Sequence, residues 1–144
     1  LSLLARRPWS SAALRQRLVE KFEEAEVEEA INRLLELGLL DDRTYAESFV
    51  RDRFERSGYG RYRIRKDLIS KGISPEDADA VIADLIGEQR ERDGGMAALE
   101  RFWRRRPPAD SGEAGQKWRQ AAFRHLVGRG FPSELVRDLL KVSL

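Results

Sequence analysis

The sequence predicts an all-α protein made of three tandem three-helix repeats that form an elongated helical array. Three observations carry this reading. Apolar residues recur with helical spacing over nearly the whole chain, no comparable run alternates with period two, and one helical pattern returns three times at a spacing of about 50 to 58 residues.

The elements follow in order. In the first repeat, 1–40, Val27, Ala30, Ile31, Leu34 and Leu35 share one helical face, and Gly38 supplies the residue that can take a left-handed conformation after the helix. The second repeat, 41–87, opens at Asp41, a natural N-cap, and Tyr45, Ala46, Phe49 and Val50 form the next stripe before Gly58 and Gly60 interrupt it. Ile64, Leu68 and Ile69 line a following helix that stops near Gly72. Ser74-Pro75-Glu76-Asp77 combines an N-cap, a first-turn proline and first-turn acids ahead of Ala78, Val81, Ile82 and Leu85. In the third repeat, 88–144, Pro107-Pro108-Ala109-Asp110-Ser111-Gly112 breaks the pattern and is expected to form a flexible loop.

Internal alignment supports the threefold organisation. Leu18-Val19, Leu68-Ile69 and Leu126-Val127 coincide, each followed by a basic residue at Lys21, Lys71 and Arg129. Phe22, Ile73 and Phe131 then fall together, as do Val27, Ala78 and Val136, and Ile31, Ile82 and Leu140. Such arrays have few long-range contacts and expose much surface, which suits a protein that lies along something.

Composition restricts the function classes. The chain has 144 residues, no cysteine, and no apolar run approaching a membrane span. The expectation is a soluble, cytoplasmic protein without a signal peptide, and the opening at Leu1 suggests a natural N-terminus lying further upstream. No Gly-rich phosphate loop, dinucleotide fingerprint, His-Glu-x-x-His pair or Gly-x-Ser-x-Gly elbow is present. No catalytic, cofactor or metal site is therefore expected. The paired carboxylates Asp41-Asp42 and Asp77-Asp79 sit at helix starts, where capping explains them.

Charge is unevenly placed. Net charge is only +2, yet between Arg51 and Lys71 eight basic residues face three acids, a local balance of +5. From Arg101 to Arg129 the balance is +6, supplied by Arg101, Arg104, Arg105, Arg106, Lys117, Arg119, Arg124 and Arg129 against Asp110 and Glu113. Segregation of this kind is expected of a protein that meets a polyanion or a partner carrying one.

Helical phasing sorts the candidates. Arg63 and Lys66 project opposite Ile64 and Leu68, and Arg51 lies on a solvent face with Glu47, Ser48 and Glu55. Arg56 and Lys71 extend this candidate contact surface, and Arg104-Arg105-Arg106 form a second cluster. Arg65 and Arg53 fall inside apolar arcs, and Arg65 is expected to snorkel and pair with an acid. Tyr59 and Tyr62 are interleaved with the basic residues, as on surfaces that touch single strands. Tyr62 fits a local core equally well. Trp9, Trp103 and Trp118 are expected to pack in cores or between repeats, and His125, the one histidine, is expected to be a surface or packing residue.

The stretch Gly38-Leu39-Leu40-Asp41-Asp42-Arg43-Thr44-Tyr45-Ala46-Glu47-Ser48-Phe49-Val50-Arg51, followed by Gly58-Tyr59-Gly60, Arg63-Ile64-Arg65, Asp67-Leu68 and Lys71-Gly72-Ile73, resembles the central motif of the RecX family. The flanking repeats resemble the family's three-helix units. The resemblance implies a monomeric, membrane-free regulator whose partner is the RecA filament on single-stranded DNA, and which damps ATP hydrolysis, strand exchange and repressor cleavage. Weak direct binding to single-stranded DNA is compatible with it. Two other classes stay open on the residues alone: a helix-turn-helix transcription regulator, disfavoured by the shortage of Asn and Gln on the basic helices, and a helical-repeat scaffold that binds only proteins.

Overall fold

A computed structural model describes residues 9–108 and 112–143, and these contain helices and no strand. The helices are α1 (Ser11–Val19), α2 (Glu24–Glu36), α3 (Asp42–Arg51), α4 (Arg61–Ser70), α5 (Pro75–Leu85), α6 (Glu88–Arg105), α7 (Gly112–Gly128) and α8 (Ser133–Ser143). An opening helix for the first repeat would fall on residues 1–8, outside those described. Of the loop expected over 107–112, Pro107 and Pro108 are non-helical, Gly112 begins α7, and 109–111 lie outside the described residues. No described helix is long and apolar enough to cross a membrane.

The apolar stripes close into three separate cores. Trp9, Leu14, Val27, Ile31 and Leu40 form the first between α1 and α2. Val50, Ile64, Leu68, Ala78 and Val81 centre the second among α3, α4 and α5. Leu99, Trp118, Leu126, Phe131, Val136 and Leu139 centre the third among α6, α7 and α8. Val27, Ala78 and Val136 are each at most 1% exposed, so the aligned positions are buried in all three units.

Helix boundaries follow the anticipated signals. The Asp41 carboxylate accepts from the Thr44 N–H at 3.2 Å, the Thr44 hydroxyl at 3.0 Å and the Arg43 N–H at 3.0 Å, which hold it below the usual carboxylate range. Ser74 Oγ accepts from the Asp77 N–H at 3.1 Å, with Pro75 in the first turn. Gly38 takes φ +71°, and the Leu39 N–H reaches back to the Leu34 carbonyl.

Three features depart from expectation. Leu35 and Ala30 are exposed because, among the described elements, α2 packs chiefly against α1, which covers the line through Val27, Ile31 and half-buried Leu34. Phe22 is 53% exposed, whereas Ile73 and Phe131 are buried. In the second and third units a positive-φ glycine, Gly72 or Gly130, turns the chain so that Ile73 or Phe131 donates back to Leu68 or Leu126. The first unit is one residue shorter here and has no such glycine, so Phe22 is not folded inward. Finally, α3 widens into a π-helical turn over Asp52–Arg56 before Gly58, with Ser57 N–H donating to the Asp52 carbonyl. Half-buried Arg53 lies 4.5 Å over the Phe49 ring there and pairs with Asp52 at 2.7 Å.

Each unit also carries a clasp between its last two helices at equivalent positions. Arg15 pairs with Glu28 at 2.5 Å, and Arg65 pairs with Asp79 at 2.6 Å. The third unit places Phe123 and Arg137 at these positions, and the guanidinium lies 5.4 Å over the ring. Asp79 holds the Arg65 guanidinium above its ordinary pKa.

The joints repeat as well. Ser10 Oγ donates to the Lys71 carbonyl at 2.7 Å, and a side chain on Gly72 would collide with Ala12. One unit later, the Gly60 N–H donates to the Arg129 carbonyl at 2.9 Å and the Tyr62 N–H to the Gly130 carbonyl at 3.0 Å. A Cβ on Gly60 would lie 2.5 Å from the Gly130 carbonyl carbon. The start of one unit's middle helix thus seats on the turn between the last two helices of the next.

Candidate functional site

The joint between the second and third units brings the two basic segments together. Gly58 takes φ +70°, and the turn it makes presents carbonyls to an arginine from the far side. Arg129 Nη2 donates to the Ser57 carbonyl and Nε donates to the Gly58 carbonyl at 3.4 Å. Tyr59 is held between two guanidinium groups, Arg63 at 4.4 Å and Arg129 at 4.8 Å from its ring centre. Arg101 extends from α6 over Gly58, so closely that a Cβ there would displace its guanidinium. The Gly58-Tyr59-Gly60 motif is therefore a structural coupling that also gathers arginines.

Beside this coupling lies an open cavity of about 370 Å³ lined by Ala98, Arg101, Arg104, Arg105, His125 and Arg129. Arg101 and Arg105 are one helical turn apart on α6, and His125 and Arg129 are one turn apart at the end of α7. His125 is half-buried against Phe102, with ring centres 5.0 Å apart. Burial, followed by the charges of Arg129, Arg105 and Arg101, pushes the imidazole below its ordinary pKa. Burial also lowers Arg129, opposed by Tyr59 and reinforced by Arg101, Arg105 and Arg63. After burial, the neighbouring arginine charges are what these two shifts share.

The sequence candidates divide by their partners. Arg51 pairs with Glu47 at 3.6 Å, Arg56 with Asp52 at 3.5 Å and Arg63 with Asp67 at 3.5 Å, each within its own helical stretch. Lys66 and Lys71 are exposed and have no ionic partner among the described residues, and the Lys71 carbonyl belongs to the first joint. Arg104, Arg105 and Arg106 are exposed and also lack an ionic partner among the described residues. The Arg106 carbonyl accepts from Trp118 Nε1 at 2.6 Å, which fastens the end of α6 to the core. Tyr62 is 55% exposed, whereas Trp9 and Trp118 are buried and Trp103 packs edge-on against Trp118.

Sequence reasoning did not assign Arg101, Arg129 or His125 to a site. The i, i+4 spacings 101/105 and 125/129 were visible, but the packing that sets these two pairs against each other was not. Chemically, converging guanidinium donors can bind an oxyanion, and bidentate geometry favours phosphate or carboxylate. Among the described residues, no group of three or more His, Cys, Asp or Glu side chains is placed to hold a metal.

Three helical units joined through equivalent contacts, with arginines that lack an ionic partner among the described residues concentrated at one joint, define a tandem helical-repeat protein with a basic surface. The model of the first three-helix domain of RecX matches residues 1–34, and that of its second three-helix domain matches residues 41–82. Regulatory protein RecX of Thermus thermophilus is 40% identical over 92% of this chain and 80% of that protein. The RecX regulatory protein of Pseudomonas fluorescens is 36% identical over 97% of this chain and 86% of its own length. The crystal structure of RecX from Lactobacillus salivarius shares the fold, with a TM-score of 0.86 at 24% identity over 98% of this chain and 89% of that one. The chain belongs to the RecX family.

Proposed function

We propose that this protein is a RecX-type regulator that binds the RecA nucleoprotein filament on single-stranded DNA and lowers its ATP hydrolysis, strand exchange and coprotease activity during recombination and repair. Family membership supports the regulatory role. The observation that carries the binding mode is the set of arginines without ionic partners among the described residues at one joint of an array built from repeating units. In this reading the units span 1–40, 41–87 and 88–144, and the protein acts as a cytoplasmic monomer without cofactor. Arg51, Arg56, Arg63, Lys66, Lys71, Arg104, Arg105 and Arg106 form the filament-facing surface. Lys66, Lys71 and the Arg104–Arg106 run carry most of the attraction, because in-helix acids already offset Arg51, Arg56 and Arg63.

The test is RecA's DNA-dependent ATP hydrolysis with and without this protein. Hydrolysis is expected to fall in a concentration-dependent way, with the effect weakening as salt rises. Unchanged RecA turnover at saturating protein would remove the proposal.

A further inference from the structure

We propose that the cavity between α6 and the end of α7 is a binding site for a phosphate group of a nucleic-acid strand, with Arg101, Arg104 and Arg105 as guanidinium donors and His125 as a proton-dependent one. This rests on the proposed function's reading of Arg104 and Arg105 as contact residues and deepens it, by giving them, with Arg101 and His125, a phosphate that the site can hold without RecA.

Three independent features carry it. First, the cavity is concave, at about 370 Å³, and apart from Ala98 each of its lining residues is an arginine or the histidine. Second, among the described residues no carboxylate forms an ion pair with Arg101, Arg104 or Arg105, although carboxylates neutralise Arg51, Arg56, Arg61, Arg63 and Arg65 elsewhere. Third, Arg129, Arg101 and His125 are held in place without a ligand. Arg129 is tied to the Ser57 and Gly58 carbonyls, Arg101 lies against Gly58, and His125 rests on Phe102. Donors fixed before binding lose little freedom when an anion arrives.

His125 gives the site a direction of pH dependence. The charges facing it are Arg101 and Arg105 on α6 and Arg129 just after α7, and no described carboxylate from α6, α7 or α8 opposes them. In the empty site protonation is therefore disfavoured. A bound phosphate offsets part of the local positive field and favours the imidazolium relative to the empty site, so binding takes up a proton. Affinity for a phosphodiester strand rises as pH falls toward the imidazole's free-state pKa.

Since the chain has a single histidine, its proton NMR signals report this site without ambiguity. The titration of His125 is followed in the protein alone, with inorganic phosphate, and with oligo(dT) either bearing or lacking a 5′-phosphate. In the protein alone the midpoint is expected below about 6.5, the ordinary histidine value, and it is expected to move up with phosphate and with oligo(dT). Equal shifts with the two oligonucleotides assign the site to internal phosphodiesters; a shift only with the phosphorylated one assigns it to a strand end. Arg101→Gln/Arg105→Gln is expected to bind oligo(dT) at least tenfold more weakly while keeping the parent's urea midpoint, and His125→Gln to bind with little pH dependence. Arg17→Gln/Arg33→Gln, at exposed arginines of the first unit paired with Glu20 and Glu36, is expected to bind like the parent.

An unmoved His125 titration with all three probes would overturn the proposal, as would parental oligo(dT) affinity in the Arg101/Arg105 variant. A response to DNA-free RecA alone would overturn it too, by assigning the cavity to protein carboxylates. RecA ATP hydrolysis measured with the same variants tests the regulatory reading separately, so either can fail without the other.

Discussion

Glu91 shows how a single side chain can work against the fold that holds it. It is 8% exposed in α6, and its Oε2 lies 3.3 Å from Arg61 Nε but has no hydrogen-bond partner among the described residues. Burial raises its pKa, Arg61 opposes that shift, and Glu88 adds to it. The folded value therefore exceeds the unfolded one, and the folded state holds more protons between the two. Stability must fall as pH rises through the folded pKa. Glu91→Gln removes this loss while leaving Arg61, which is about half exposed, free to be solvated. The variant is expected to melt higher than the parent at about pH 8 and to lose this advantage at about pH 4. Thermal denaturation at the two pH values checks it, and a variant less stable than its parent at pH 8 would mean that the Arg61 ion pair outweighs desolvation. Arg65 behaves differently, since its clasp with Asp79 is 40% and 59% exposed and solvent screens the attraction.

At the scale of elements, the joints do what sequence periodicity cannot reveal. Gly130 adopts φ +105°, and a Cβ there would lie 2.5 Å from the Arg63 backbone nitrogen. Gly130→Ala is expected to cost about 1–3 kcal/mol in backbone strain alone, and the collision adds to this. Because the collision falls at the joint, urea unfolding is expected to separate into two steps, the third unit's tryptophans reporting one and second-unit amides the other. A single transition shifted as a whole would show that the two units unfold together. The helices, their caps and the buried registers at 27, 78 and 136 were legible because each depends on neighbours a few residues away. The pairing of Arg65 with an acid was legible from its place inside an apolar arc, although its partner Asp79 lies on the next helix. Phe22 was misread because an alignment by residue type conceals the missing glycine. The cavity was not legible, because it arises where α6 and α7 cross and where Arg129 reaches back 72 residues to Ser57.

For the molecule as a whole, the exposed area decides between a compact body and an array. The chain exposes 9404 Å² at 16.6 kDa, against about 7,600 Å² for a compact monomer of this mass. The excess fits three small cores in series, each surrounded by its own helices and joined to its neighbour by a few polar contacts. In such an array stability approximates a sum of unit and joint terms, and a fault at one joint stays local. The first joint gives a clean test. Asp42, the residue after the α3 N-cap, accepts from the Ser11 N–H at 2.7 Å and from Ser11 Oγ at 2.6 Å, binding the start of α1 to the second unit. Asp42→Ala removes both bonds and is expected to cost about 1–3 kcal/mol at that joint. Amide hydrogen exchange should quicken in α1 and α2, while α6 to α8 keep their protection. If exchange instead quickens evenly from α1 to α8, the three cores behave as one cooperative body and the serial account fails. If only the first unit loosens and RecA ATP hydrolysis is then less inhibited, regulation requires the full array and not the basic joint alone.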